Sequence, residues 1–171
     1  ASDNIYLRTS DFNIMRPQMQ NYYIWAKEPY EGVSVSDWEY PYKAIMYANT
    51  VLEKSQELGE NAIDKNVYQD LRGQALFHRA YMYFNLAQVF SPVYDPESTN
   101  TAPGLILRHS ADINEPLKRG NVSDTYQKII DDTKEAIGLL STKAVHKGRP
   151  SKQAAYGLLA RTYLAMGRYT L

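Results

Sequence analysis

The stretch AYGLLARTYLAMGRYTL, residues 155–171, decides how the rest of the chain is read. Tyr156, Leu159, Ala160 and Tyr163 recur at helical spacing, so an aromatic, an aliphatic, a small and a second aromatic residue share one stripe. The inner stripe is expected to comprise Ala155, Leu158, Leu159, Thr162 and Tyr163. Ser151 caps this helix, Gly148 and Pro150 separate it from what precedes, and Gly167 and Tyr169 stand at a turn. A helix of this kind buries its stripe only against neighbours. The pattern stops before a second helix, so the stripe is expected to be covered by a longer chain or in some other way.

The spacing is that of W-x2-L-G-x2-Y, the first helix of a tetratricopeptide repeat (TPR), with Tyr for Trp and Ala for Gly. The same pattern occurs upstream, where Ala75, Ala80 and Tyr83 match Ala155, Ala160 and Tyr163. That earlier helix runs from Asp64 to Phe90, with Val67, Leu71 and Ala75 expected inside and Lys65, Asp70 and Arg72 outside. From Ala75 onward only His78 and Arg79 can carry charge, and two apolar stripes mark it as a central helix packed on two sides. Tyr81, Tyr83, Phe84 and Phe90 read as core, and Arg79 and Arg161 as arginines that snorkel or cap carbonyls. A preceding helix, capped by Asp37, ends before Gly59 and carries the stripe Tyr42, Ile45, Met46, Asn49, Leu52. Asn49 in that stripe reads as a buried amide bonded to a neighbouring backbone. A further helix, capped by Ser123, reaches about Leu140.

The predicted architecture is all-α: TPR-like helical hairpins stacked in a superhelix, with a long irregular loop. Residues 1–171 read as one N-terminal fragment of a larger domain. Residues 1–36 are an aromatic-rich irregular segment with a short helix around Met15 to Trp25. Residues 37–90 form a helical hairpin, and 122–171 a truncated TPR-like hairpin. Between them, 91–121 is longer than the usual helix–helix connection and holds four prolines; such loops hide short hairpins or carry function.

Lysine plus arginine equals aspartate plus glutamate at 19 each, so no net field recruits nucleic acid or anionic lipid. Cysteine is absent, which excludes disulfides and thiolate chemistry within these residues. Fifteen tyrosines against four phenylalanines suit both helix-repeat packing and wet binding surfaces. No apolar run is long enough to span a membrane, and Ala1 opens straight into polar sequence, so an export signal, if there was one, is expected to have been removed. His78, His109 and His146 lie in three separate segments without metal-ligand spacing, and no glycine-rich phosphate cradle occurs. No cofactor is expected.

Four blocks in order carry a resemblance: WEYPYKAIMYANTVLE (38–53), ALFHRAYMYFNLAQVFSP (75–92) with PGLIL (103–107), KRGNVSDTYQKIIDD (118–132) and GRPSKQAAYGLLARTYL (148–164). Together they resemble the SusD/RagB family of outer-membrane nutrient-binding lipoproteins of Bacteroidetes. The family shows Y-x-x-I-x-x-A-N, R-A-x-x-Y-F-x-L, R-x-[ST]-V-x-x-x-Y-x-x-I-x-x-D and G-R-A-[ST]-x-x-A-A-x-x-L-L-A-R-x-Y-L in that order. Its members are longer, with a lipidated N-terminal cysteine and a C-terminal portion holding much of the ligand site. The resemblance implies a lipid-anchored protein on the cell outer membrane, facing out. It would capture an oligosaccharide or other nutrient and pass it to a SusC-like TonB-dependent transporter.

Candidate ligand contacts come from the cluster Tyr22, Tyr23, Trp25 and Tyr30, with Asn13 and Arg16 upstream. Flat rings cover the C–H face of a pyranose, and planar polar groups pair with its hydroxyls. Arg16, Tyr23, Trp25 and Tyr30 are the expected binding residues; the competing reading is that these rings seal one end of the helical stack. Other functions remain open. A TPR-type adaptor would hold a partner protein in a helical groove. A small glycosidase would need paired carboxylates, for which Glu28, Glu31 and Asp37 are the candidates. Nothing sets their spacing, and the chain is expected not to be an enzyme.

Overall fold

The computed structural model describes residues 4–30, 34–59, 63–144 and 146–169. The chain divides into two compact units, Ala1–Glu39 and Tyr40–Leu171. Six helices and a two-stranded sheet are described, which makes the fold mostly helical, as expected.

In the first unit, α1 (Thr9–Ile14) and α2 (Pro17–Tyr23) are short. Arg16 between them is extended because it precedes Pro17, which then opens α2 where its missing N–H is harmless. The Phe12 and Tyr23 rings meet at 5.8 Å, and the Gln20 side chain donates to the Phe12 carbonyl at 2.7 Å.

The second unit holds most of α3 (Ser36–Leu58) and all of α4 (Lys65–Phe90), β1 (Pro103–Ile106), β2 (Arg119–Asn121), α5 (Val122–Leu139) and α6 (Lys152–Ala165). Asp64 caps α4 by accepting from the Asn66 and Val67 N–H groups, and Ser151 caps α6 through Ala154. The cap of α5 is Asn121 rather than Ser123. Its side chain accepts from Asp124 N–H at 2.6 Å while Asp124 accepts from Asn121 N–H, a reciprocal capping box.

Helix α4 is the centre of this unit, packing against α5, the sheet and α6. Leu76, Ala136, Leu140 and Ala155 form a shared buried cluster between α4, α5 and α6. Gly73 lets α4 and the end of α5 close up, since a Cβ there would meet Leu140 Cγ at 3.0 Å. That approach fixes the rotation of α4, with Tyr68 buried. Val67 and Leu71 are therefore exposed, contrary to the inward placement expected of them. On α6, Ala155, Leu158 and Thr162 face the core. Leu159 and Tyr163 are only half-buried, and Ala160 is exposed, because the repeat-signature stripe lies on the side away from α5.

Arg79 neither snorkels nor caps a carbonyl. It is buried, and its guanidinium makes a two-pronged pair with Asp132 of α5 at 2.7 and 2.8 Å. Its third arm donates to Asn49 Oδ1 of α3 at 2.6 Å, and Lys128 adds a second cation to Asp132 at 3.0 Å. Asn49, Arg79 and Asp132 come from three of the sequence blocks that carry the family resemblance, each from a different helix. One buried cluster thus ties α3, α4 and α5 together.

The long connection is irregular over most of its length but holds a short hairpin. Strands β1 and β2 pair antiparallel, Pro103 opposite Asn121 and Ile106 opposite Arg119, with a bulge between. Gly104 lies so close to Thr125 and the Asn121 backbone that no side chain fits. Two tyrosines stand in for a missing strand. Tyr42 accepts from the Ile106 N–H and donates to the Ile106 carbonyl, both at 3.0 Å. Tyr83 does the same at Arg108, at 2.8 and 3.2 Å. Asn49 then donates to the Arg108 and Ser110 carbonyls, as its reading as a satisfied amide requires, and Glu53 accepts from Ala111 N–H. Burial raises the pKa of both hydroxyls, that of Tyr42 to about 12.

Candidate functional site

The first unit contains an aromatic cleft of about 350 Å³ lined by Asn21, Tyr22, Trp25, Ala26, Pro29 and Tyr30. Its geometry follows from how α2 stops. Ile24 N–H closes on the Gln20 carbonyl, and Ala26 N–H reaches back to the Asn21 carbonyl at 2.9 Å. This six-to-one closure requires a left-handed residue just past the helix, where glycine is usual. Trp25 occupies that place at φ +54°. A left-handed backbone costs a side-chain-bearing residue about 1–2 kcal/mol. The indole does not recover that by burial, because Trp25 is 72% exposed.

Beside it, Tyr22 and Tyr30 meet edge to face at 5.9 Å, and the Gln18 side chain donates to the Tyr22 hydroxyl at 3.0 Å. Desolvation, followed by the proximity of Tyr22 and Asp37, raises the pKa of the Tyr30 hydroxyl, which stays neutral. The Asn21 Nδ2 group is buried without a hydrogen-bond partner among the described residues. A buried donor left unmet costs about 1–3 kcal/mol. The cleft thus combines an exposed flat ring, two phenols and one amide donor in search of an acceptor.

Trp25 and Tyr30 of the expected residues share this cleft. Tyr23 faces the other way, against Phe12, with its hydroxyl accepting from Leu7 N–H at 3.2 Å. Arg16 is exposed at the start of α2 and does not line the cleft. Asn21 escaped sequence reasoning because an asparagine in a polar stretch carries no mark of burial. Tyr22 was visible only as one member of an aromatic cluster. Glu28 and Asp37 are exposed, and Glu31 lies outside the described residues.

Elsewhere, α3 and α4 enclose an apolar groove of about 290 Å³ lined by Tyr47, Val51, Leu71, His78 and Met82 among others. Burial lowers the pKa of His78 there. Among the described residues no cluster of three or more histidines and carboxylates could hold a metal ion. No described helix is long and apolar enough to cross a membrane.

Helical hairpins fastened by a buried ion cluster define a scaffold of the helical-repeat class. The sequence profile described as "Starch-binding associating with outer membrane" matches residues 4–164. The chain belongs to that SusD-like family. A SusD-like protein of Bacteroides ovatus is 28% identical over 128 residues, 75% of this chain and 22% of that protein. A SusD superfamily protein from Bacteroides vulgatus superposes with a TM-score of 0.76 at 24% identity, covering 90% of this chain and 34% of its own. A laminarin-binding SusD-like protein superposes with a TM-score of 0.60 at 26% identity, covering 75% and 26% of the two chains. The chain therefore spans between 22% and 34% of the length of these relatives.

Proposed function

We propose that this chain belongs to a glycan-binding protein of the outer-membrane surface, with the aromatic cleft of the first unit contributing ligand contacts. The observation that carries the reading is Trp25, an exposed indole kept at a left-handed position beside a buried amide donor without a partner. Folding alone favours neither feature, whereas a bound pyranose would cover the ring and accept from Asn21. The laminarin-binding relative and the starch-binding description of the family support the same ligand class. Trp25 serves as platform and Tyr30 and Tyr22 flank it. Arg16 and Tyr23, outside the cleft lining, remain candidates for a longer ligand and for support of α2.

The helical second unit serves as scaffold and as a surface toward a SusC-like TonB-dependent transporter, with the whole protein held at the outer membrane by a lipid anchor. The descriptions of the relatives name binding, which fits capture rather than turnover. Titration of oligosaccharides into the full-length protein tests the reading. Trp25→Ala should weaken binding about tenfold or more without unfolding the protein. Unchanged affinity for every glycan that the wild type binds would remove the cleft from the account.

A second reading, a TPR-type adaptor, draws on the outer side of α6, where Tyr156 and Leu164 are 56% and 63% exposed. It predicts a protein partner whose binding is lost in Tyr156→Glu and untouched by Trp25→Ala.

A further inference from the structure

We infer that the Trp25 cleft selects uncharged saccharide segments and rejects those carrying carboxylate or sulfate groups. This rests on the glycan-binding reading above and adds the chemical class of ligand to it. Among the described residues, all six lining side chains are neutral: one amide, two phenols, an indole, an alanine and a proline. None offers the planar, two-pronged cation that normally recognises a carboxylate or sulfate. Asn21 Nδ2, the buried polar atom of the described lining that has no partner, is a neutral donor that a hydroxyl or ring oxygen would satisfy.

The charges around the cleft point the same way. Asp37 is close enough for its carboxylate to act on Tyr30, so a second anion placed at that phenol would be repelled. Lys27 and Glu28 lie between the lining residues Ala26 and Pro29, and both are exposed. Adjacent and opposite in sign, they supply no net attraction for an anion. Arg8 is engaged with Asp11 at 3.6 Å, away from the lining. Arg16 is exposed and does not line the cleft. An acidic sugar ring lying on Trp25 would lose water around its charge and gain no cation in return, which is costly. A neutral ring loses far less.

The volume adds a limit on size. At about 350 Å³ the cleft sits at the small end of ligand pockets, roughly 300–1,000 Å³, so it grips a short stretch of a chain. A single negative group on that stretch is therefore felt at the platform and cannot be displaced to a distant subsite.

The test is calorimetric titration of the full-length protein with matched neutral and acidic ligands: gluco-oligosaccharides, oligogalacturonates and a sulfated oligosaccharide. Binding of the neutral series through Trp25, with the acidic series about tenfold or more weaker, is the expected result. Asp37→Asn should then improve acidic binding several-fold and leave neutral binding unchanged, and Ala26→Arg should narrow the gap further. Acidic ligands that bind as tightly as neutral ones, and lose affinity in Trp25→Ala, would overturn the selectivity while leaving the glycan reading in place. Should Trp25→Ala change binding of neither series, the site itself is wrong and the inference falls with it. A neutral preference that Asp37→Asn and Ala26→Arg both leave untouched would overturn the electrostatic basis argued here.

Discussion

Two stretches of this chain look alike as sequence and are opposite as structure. Residues 103–115 and residues 16–30 both lack a sustained helical period and both contain proline. In the first stretch, Tyr42, Tyr83, Asn49 and Glu53 from the neighbouring helices meet the backbone of residues 106, 108, 110 and 111. In the second stretch the backbone is left-handed at a tryptophan and a buried amide donor goes unmet. The first segment is clasped along its backbone by neighbouring helices, although Arg108 Nε there is also buried without a hydrogen-bond partner among the described residues. The second joins an unmet amide donor to left-handed strain at an exposed ring. The proposed division into scaffold and site rests on that strain and that exposed ring.

The largest effect expected from breaking the scaffold side is at Asp132. Asp132→Ala leaves Arg79 buried without its carboxylate, and loss of one partner of a buried pair costs about 3–5 kcal/mol. Urea unfolding of the protein should show that loss. Replacing Arg79 and Asp132 together with Met and Leu should recover more than half of it, because the stranded charge is then gone. If the double variant is no better than the single one, the cluster is not an isolated pair but part of the Asn49 connection to the loop.

Tyr83→Phe comes next. The single hydroxyl serves both the N–H and the carbonyl of Arg108, so its removal orphans two backbone groups at about 1–3 kcal/mol each when water cannot reach them. Both bonds are only partly buried, so water recovers some of that cost and a loss of about 2–4 kcal/mol is expected. Hydrogen exchange should locate it, with the Arg108 amide exposed well before the amides of α4. Equal loosening of α4 would mean that the hydroxyl supports the helix and not the loop.

Much of this scaffold could be read in advance. The caps at Asp64 and Ser151, the central rank of α4 and the satisfied state of Asn49 follow from local rules, since each depends on residues within a turn or on an apolar stripe. What those rules do not reach is pairing across the chain. Arg79 and Asp132 are 53 positions apart, and an arginine on an apolar stripe reads equally well as snorkelling. The hairpin of 103–106 with 119–121 is specified by Tyr42 and Tyr83, which read as ordinary core aromatics until their hydroxyls are placed. Val67 and Leu71 misled because the rotation of α4 is set by Gly73 against Leu139 and Leu140, a contact invisible in periodicity. At the cleft, the aromatic cluster announced Trp25 and Tyr30, but neither the burial of Asn21 nor the turning away of Tyr23 left a trace in the order of residues.

A third measure uses pH. Tyr42 titrates near 10 in an unfolded chain and at about 12 in the fold. Its raised value means that the protonated hydroxyl is favoured by folding. The contribution is complete below pH about 10 and drains away as pH rises through 12; that interval sets a ceiling of about 2.7 kcal/mol, which water around the partly exposed hydroxyl reduces. Stability should therefore fall more steeply over that interval in the wild type than in Tyr42→Phe, which is weaker at neutral pH but lacks the titration. Parallel slopes would show that Tyr42 is more open to water than its bonds to Ile106 imply.

The smallest change in stability is the most telling about the other stretch. Trp25→Gly relieves about 1–2 kcal/mol of left-handed strain and gives back about 0.5–1 kcal/mol through the greater freedom of glycine when unfolded. The indole is largely exposed, so little packing is lost with it. The net result should be a protein more stable by less than about 1 kcal/mol in thermal or urea unfolding, yet with affinity for oligosaccharide reduced at least as far as in Trp25→Ala. Opposite signs for stability and binding at one position are what a residue maintained for its ligand must show. A variant that loses both would place Trp25 with the scaffold after all. The contrast between the two stretches would then reduce to a difference in burial.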